Sequence, residues 1–279
     1  MYTKEASKIR KAWDGIAVNF DRYVTPTANW DWAKTALCLA GLEPGMHFLD
    51  VASGSGALSL PAARVGARVL AVDISPLMIE RLRARAEEER LTSLKGVVMD
   101  GQQLKLSDDV FDMAGSQFGV VLFPDFQRGL HEMVRVTRPG GIVFLVAFGP
   151  EQTAEFHDIF IQAVQEADPD FDGLSQNTNP LPFQAIDKSD LQEKMAEARL
   201  GNVWVAPVVH KLFFNSGKEM WNWVTSSDPI MTQMISHLDD RQKNRVGEIL
   251  EQRIRERSFG QAPATLDVGV NIAIGEKVK

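Results

Sequence analysis

The stretch His47-Phe-Leu-Asp-Val-Ala-Ser-Gly-Ser-Gly-Ala-Leu58 decides how the rest of the chain is read. A short apolar run carrying an acid gives way at once to small residues and then to a helix-like segment. That order is strand, tight turn, helix N-terminus. Ala52, Gly54 and Gly56 let the backbone approach a ligand closely, and the free N–H groups of the following helix favour an electron-rich group. A cofactor-sized ligand is expected at this turn. The turn is not a dinucleotide fingerprint, because Gly54 and Gly56 are followed by Ser59 and no third glycine stands in frame. It is not a P-loop either, since no Gly-Lys-Ser/Thr ending follows.

The same pattern repeats downstream. Ala67-Arg-Val-Leu-Ala-Val-Asp73 reads as a second buried strand ending in an acid, and Lys95-Gly-Val-Val-Met-Asp100 as a third, followed by Gly101-Gln102. An acid at the carboxyl end of a parallel strand can accept both hydroxyls of a ribose, which selects a nucleoside-containing ligand. Asp73 has a second, compatible reading as a helix N-terminal charge, because Ser75 and Pro76 look like the N-cap and first residue of a helix. Ile74 and Met78 are placed to offer apolar faces to an adenine ring.

Composition narrows the classes. The 279 residues carry a net charge of −7 and 44% hydrophobic residues, normal for a globular protein with a full core. Nucleic-acid binding needs clustered Lys and Arg, and no basic stripe is present. The single cysteine, Cys38, cannot form an intramolecular disulfide, and the start of the chain lacks the apolar core of an export signal. No apolar run approaches the ~20 residues of a membrane span. A cytoplasmic, unexported protein with no integral membrane segment is expected.

The first turn resembles motif I of the class I S-adenosylmethionine (SAM) methyltransferases, D/E-x-G-x-G-x-G, with Ala52 where the first glycine is common. Further on, the run F-D-x-x-x-S-Q-F-G, then F-P-D, then E-M-x-R-V-x-R-P-G-G, between Phe111 and Gly141, resembles the ubiquinone and menaquinone biosynthesis methyltransferases. The resemblance covers about residues 46–148. It implies an α/β, Rossmann-like, doubly wound sheet of seven mostly parallel strands with an antiparallel last strand. It implies SAM as cofactor, S-adenosylhomocysteine as product, and cofactor contacts at Asp50, Ala52, Ser53, Gly54, Gly56, Asp73, Ile74, Met78, Asp100, Gly101, Gln102 and Gln117. Phe118, beside Gln117, borders the acceptor in such enzymes, and the leading helices often lie over the cofactor. Trp13, Phe20, Tyr23 and Trp30 are therefore acceptor-pocket candidates.

The domain organisation expected is an N-terminal helical lid over residues 1–41, a SAM-binding core over 42–150, and the rest of the sheet with helical cap insertions over 151–279. The insertions fall at about 151–190 and 216–260. Pro139-Gly140-Gly141 is a chain reversal after a helix, and 169–187 is a Pro/Asn/Asp-rich loop that can reach over the pocket. Thr265–Gly275 alternates as the last strand.

In-line methyl transfer mainly needs donor and acceptor aligned and water excluded. His131, His157, His210 and His237 show no triad-like pattern, so no general base is assigned, and no acidic cluster suggests a metal. The absence of an Asn/Asp-Pro-Pro-Tyr/Phe sequence after strand four argues against an amino-methylating DNA enzyme. The expected partner is a small, partly hydrophobic acceptor, with a homodimer left open. Two alternatives stand beside this reading. One is a SAM-binding protein without methyl transfer, a partner subunit or non-methylating enzyme. The other is a nicotinamide-dependent dehydrogenase, which the missing third glycine opposes.

Overall fold

The computed structural model describes residues 4–26, 29–149, 153–171, 187–227 and 229–278, with side chains throughout except at 29–31 and 230. Apolar residues spaced by three and four wind the N-terminal segment into a helix, Lys4–Asn19 (α1), which buries Ala6, Ile16 and Ala17. It runs directly into a five-residue π-helical turn, Phe20–Val24. A second helix, Asn29–Leu39 (α2), leads to the first strand, His47–Val51 (β1), buried from Phe48 onward.

Helix Ser59–Val65 (α3) is stopped by Gly66, whose φ of 101° an L side chain resists. Strand Arg68–Asp73 (β2) then leads to helix Pro76–Glu88 (α4). The expected N-cap is present there, with Ser75 Oγ accepting from Met78 N–H at 3.1 Å. Strands Leu94–Val98 (β3) and Phe111–Gln117 (β4) follow, then helix Phe126–Val136 (α5), capped by Asp125. The remaining elements are strand Thr137–Phe148 (β5), helices Glu155–Ala167 (α6) and Lys188–Glu197 (α7), and strand Leu200–Phe214 (β6). Helices Gly217–Ser227 (α8), Pro229–Met234 (α9) and Asp240–Arg257 (α10) precede strand Ala264–Lys277 (β7).

All seven strands form one sheet in the order β3-β2-β1-β4-β5-β7-β6. The pairs from β3 to β5 are parallel, and β7 lies antiparallel between β5 and β6. The mostly parallel sheet with an antiparallel last strand is the architecture expected from sequence. Helices α8 to α10 fill the interval between β6 and β7, as expected for a helical insertion.

The Pro139-Gly140-Gly141 reversal takes a form the sequence did not show. Phe111 pairs with Thr137 and Met113 with Ile142, so residues 138–141 bulge out of β5 with Gly140 at a φ of +76°. The expected loop over 169–187 lies largely outside the described residues.

Each face of the sheet carries its own apolar layer. Phe48, Phe144, Trp32, Phe160 and Trp223 belong to one; Leu49, Val51, Leu130, Met133 and Leu145 belong to the other. At about 1.5–3 kcal/mol per buried side chain, these layers fix the register of β1 against β2 and β4. That register aligns the carboxyl ends of the parallel strands along one edge, where open α/β sheets bind ligands. Among the described residues no helix is long and apolar enough to cross a membrane.

Candidate functional site

The loop after β1 reverses the chain through residues of positive φ: Ala52 at 57°, Gly54 at 51° and Gly56 at 103°. At Ala52 an L side chain sits in the left-handed region, at a cost of about 1–2 kcal/mol. This is the physical reason a glycine is common there. Gly119, after β4, packs against this loop so closely that a Cβ on it would lie 2.4 Å from Ala52 Cβ and 3.0 Å from the Ala52 carbonyl oxygen. Neighbouring strand ends thus hold each other in place.

Two carboxylates stand at these ends. Asp73 accepts from Gly54 N–H at 2.9 Å on Oδ2 and from Ser75 N–H at 2.8 Å on Oδ1, so it ties the first loop to the start of α4. Each oxygen keeps a lone pair for a further donor. Burial is the main cause that pushes its pKa up to about 6, against the opposing pull of the two backbone bonds and with help from the nearby charge of Asp14. Asp50 is more enclosed, 1% exposed, and accepts from Ser59 Oγ on Oδ2. Its Oδ1 has no hydrogen-bond partner, and neither has Ser53 Oγ. Burial, opposed by the Ser59 bond and reinforced by the charge of Asp73, pushes the Asp50 carboxyl up to about 7.

A cleft of about 1440 Å³, open mouth included, runs along the strand ends. Its floor is the loop after β1 and the ends of β2 to β4; its roof comes from α1 and the π-helical turn through Ile9, Trp13, Phe20 and Val24. The far half is aromatic. Phe118 stacks on Phe148 at 4.4 Å between ring centroids, Trp32 meets both edge-on at 5.0 and 6.2 Å, and Phe156 meets Trp223 edge-on at 5.0 Å. Phe118 has a φ of 60°, an outlying conformation for a bulky residue, of the kind that collects at functional sites.

The cleft brings together Ala52, Ser53, Gly54, Asp73, Ile74, Met78, Gly101, Gln102 and Gln117 from the cofactor candidates, and Trp13, Phe20 and Phe118 from the acceptor candidates. Others fall outside its lining. Asp50 lies beneath the loop, and Gly56 faces Leu60 and Leu82. Asp100 turns back to accept from Gln102 N–H at 2.9 Å. Tyr23 sits off the cleft under the Arg22 guanidinium, 5.3 Å from its ring centroid. The Trp30 side chain lies outside the described residues.

Sequence reading did not single out Trp32, Phe123, Phe148, Phe156 or Trp223 for the cleft. The Phe-Pro-Asp motif could have flagged Phe123. The others are brought in by elements far apart in the chain. Among the described residues the only ionisable side chain lining the cleft is that of Asp73. None of the four histidines weighed from sequence lines it: His131 bonds the Gln127 carbonyl, His210 lies edge-on to Trp32, His237 pairs with Asp168 at 3.1 Å, and His157 is buried in α6.

A family model described as a methyltransferase domain matches residues 49–145. An uncharacterized protein of Mycobacterium tuberculosis is 44% identical over 109 residues, and the match spans only 39% of that relative's length and 39% of this chain. A demethylmenaquinone methyltransferase of Mycolicibacterium paratuberculosis is 30% identical over 169 residues, 60% of this chain and 70% of the relative. The structure of a Haemonchus contortus phosphoethanolamine N-methyltransferase in complex with S-adenosyl-L-methionine shares the fold, with a TM-score of 0.57 at 14% identity over 96% of this chain and 56% of the other.

Proposed function

Because this chain belongs to the class I S-adenosylmethionine-dependent methyltransferases, we propose that it moves a methyl group from SAM to a small, partly hydrophobic metabolite by in-line displacement. The observation that carries the reading is a single cleft with two chemically different halves. One half is the positive-φ loop with Asp73 and the ends of β1 to β3; the other is a wall of aromatic rings meeting it at Phe118.

The residues fit SAM. Asp73 has free acceptor capacity for ribose hydroxyls, and Ile74 and Met78 flank it with apolar surface for a base. The unpartnered Ser53 Oγ, which lines the cleft, is the group we assign to the cofactor's methionine end, with Asp50 supporting the loop from below. Bound there, SAM supplies a methyl carbon already activated by a sulfonium. The chain's own task is then to orient and to exclude water. Phe118, Phe148 and Trp32 present flat apolar surface to the acceptor, and the roof of Trp13 and Phe20 closes the cleft from above. Demethylmenaquinone, named for the mycolicibacterial relative, is an apolar ring compound that such a wall suits.

Calorimetric titration with SAM, S-adenosylhomocysteine and NAD in turn tests the cofactor, and a methyl-transfer screen over apolar ring metabolites tests the acceptor. Micromolar binding of the adenosyl ligands without NAD supports the reading. Binding of NAD alone would overturn it.

A further inference from the structure

The aromatic half of the cleft is a row of rings whose last member carries a hydrogen-bond donor. Phe118 stacks on Phe148, Phe148 meets Phe156 at 6.1 Å between centroids, and Phe156 meets Trp223 edge-on at 5.0 Å. Trp223 belongs to α8, is 3% exposed, and lines the cleft. Its Nε1 is enclosed and has no hydrogen-bond partner. The hydroxyls beside it on the helix are satisfied locally: Thr225 Oγ1 donates to the Trp221 carbonyl and Ser227 Oγ to the Val224 carbonyl, each at 2.8 Å.

A buried indole N–H ordinarily has an acceptor, because the group gives up water on entering the core. The rings around this one do not supply it. Phe156 and Phe214 meet Trp223 edge-on, at 5.0 and 6.0 Å, and an aromatic ring offers an N–H only a weak contact. The indole nitrogen can only donate, so whatever satisfies it must accept. An ammonium group is refused there; a carbonyl, hydroxyl or ether oxygen is taken. The neighbours are apolar, so a bond made at this point faces little competition from water.

We propose that Trp223 sets acceptor specificity: its Nε1–H donates to an oxygen carried by the acceptor's ring system where that ring packs against α8. Among the described residues no charged side chain joins this half of the cleft, so the acceptor there is a neutral ring bearing a carbonyl, hydroxyl or ether oxygen. The proposal rests on the reading of the cleft as a SAM site with the acceptor in its aromatic half. It adds the chemical group that is recognised and the residue that reads it.

The test uses the whole chain saturated with S-adenosylhomocysteine and two probes of one shape, 2-acetylnaphthalene and 2-isopropenylnaphthalene, which differ by a carbonyl oxygen against a methylene. Displacement of N-phenyl-1-naphthylamine gives the affinity of each. The ratio of ketone to hydrocarbon affinity should fall about tenfold from wild type to Trp223→Phe, while S-adenosylhomocysteine affinity stays at the wild-type value. A second readout needs only the wild type: in isotope-labelled protein the Trp223 indole proton, assigned through the chain, should move downfield on adding the ketone and not on adding the hydrocarbon. An unchanged ratio, an indole proton that ignores the ketone, or failure of the ketone to bind the wild type would each overturn the proposal. Failure of the wild type to bind S-adenosylhomocysteine would instead overturn the reading of the site, while the indole proton, followed without cofactor, still decides whether Trp223 donates to a bound oxygen.

Discussion

Replacing Asp50 by Asn tests the electrostatics of the site most directly. In the folded protein the Asp50 carboxyl titrates at about 7, against an ordinary 3.8 for the unfolded chain. A folded value raised in this way means that, between those limits, folding takes up a proton. The stabilisation is complete below the unfolded value and is lost as pH rises through the folded one. From pH 5 to pH 8 the loss is on the order of 2–3 kcal/mol, at about 1.36 kcal/mol per unit, and most of it is reached by pH 7.

Asparagine keeps an oxygen to accept from Ser59 and removes the titration, but its amide group then lies where Oδ1 already lacks a partner. That buried amide costs about 1–2 kcal/mol at every pH. Asp50→Asn should therefore be destabilising at pH 5 and neutral to stabilising at pH 8. The difference between the two pH values should be about 2–3 kcal/mol. Urea unfolding of the ligand-free wild type and variant at both pH values gives this difference, which includes the change in the Asp73 titration that losing the Asp50 charge brings. A pH-independent effect of the substitution, within about 0.5 kcal/mol, would refute the argument that burial controls this carboxyl.

The other predictions concern the loop and the ribose site. Asp73→Ala should weaken S-adenosylhomocysteine binding by roughly 2–4 kcal/mol, at ~1.5–3 per charge-assisted bond before losses to water; unchanged affinity in a titration would remove Asp73 from the site. Ala52→Gly relieves the left-handed backbone and, after glycine's extra chain entropy, should raise Tm by about 2 °C in a thermal melt. Gly119→Ala drives a Cβ into Ala52 and should cost about 1–3 kcal/mol, part of which the Ala52→Gly background should restore because the nearest atom is Ala52 Cβ. Strict additivity of the two substitutions would show that the collision is relieved by some other route.

By itself the sequence determined the sheet and pointed to the strand ends where the candidate cleft lies. Apolar runs at Phe48–Val51, Val69–Val72 and Gly96–Met99, each containing or followed directly by an acid, are local signals, because strand burial and turn chemistry act over a few residues. The N-cap at Ser75 and the glycine turn were readable for the same reason. Ala52 was visible as a departure from a glycine pattern; its cost became physical only with its φ. Asp50, Asp73 and Asp100 look alike in sequence, yet the fold turns one to Ser59, one to Gly54 and Ser75, and one to Gln102.

Apart from Phe118, the aromatic half of the cleft was decided by tertiary structure alone. Trp32, Phe148, Phe156 and Trp223 come from four separate elements, and their periodicity within each element marks only a buried face. Whether a buried face meets the core or a cleft depends on packing between segments more than a hundred residues apart. The π-helical turn decided likewise that Phe20 enters the cleft while Tyr23, three residues on, stays outside it. The reason is physical: local sequence fixes the face a residue occupies, and only long-range packing fixes what that face meets.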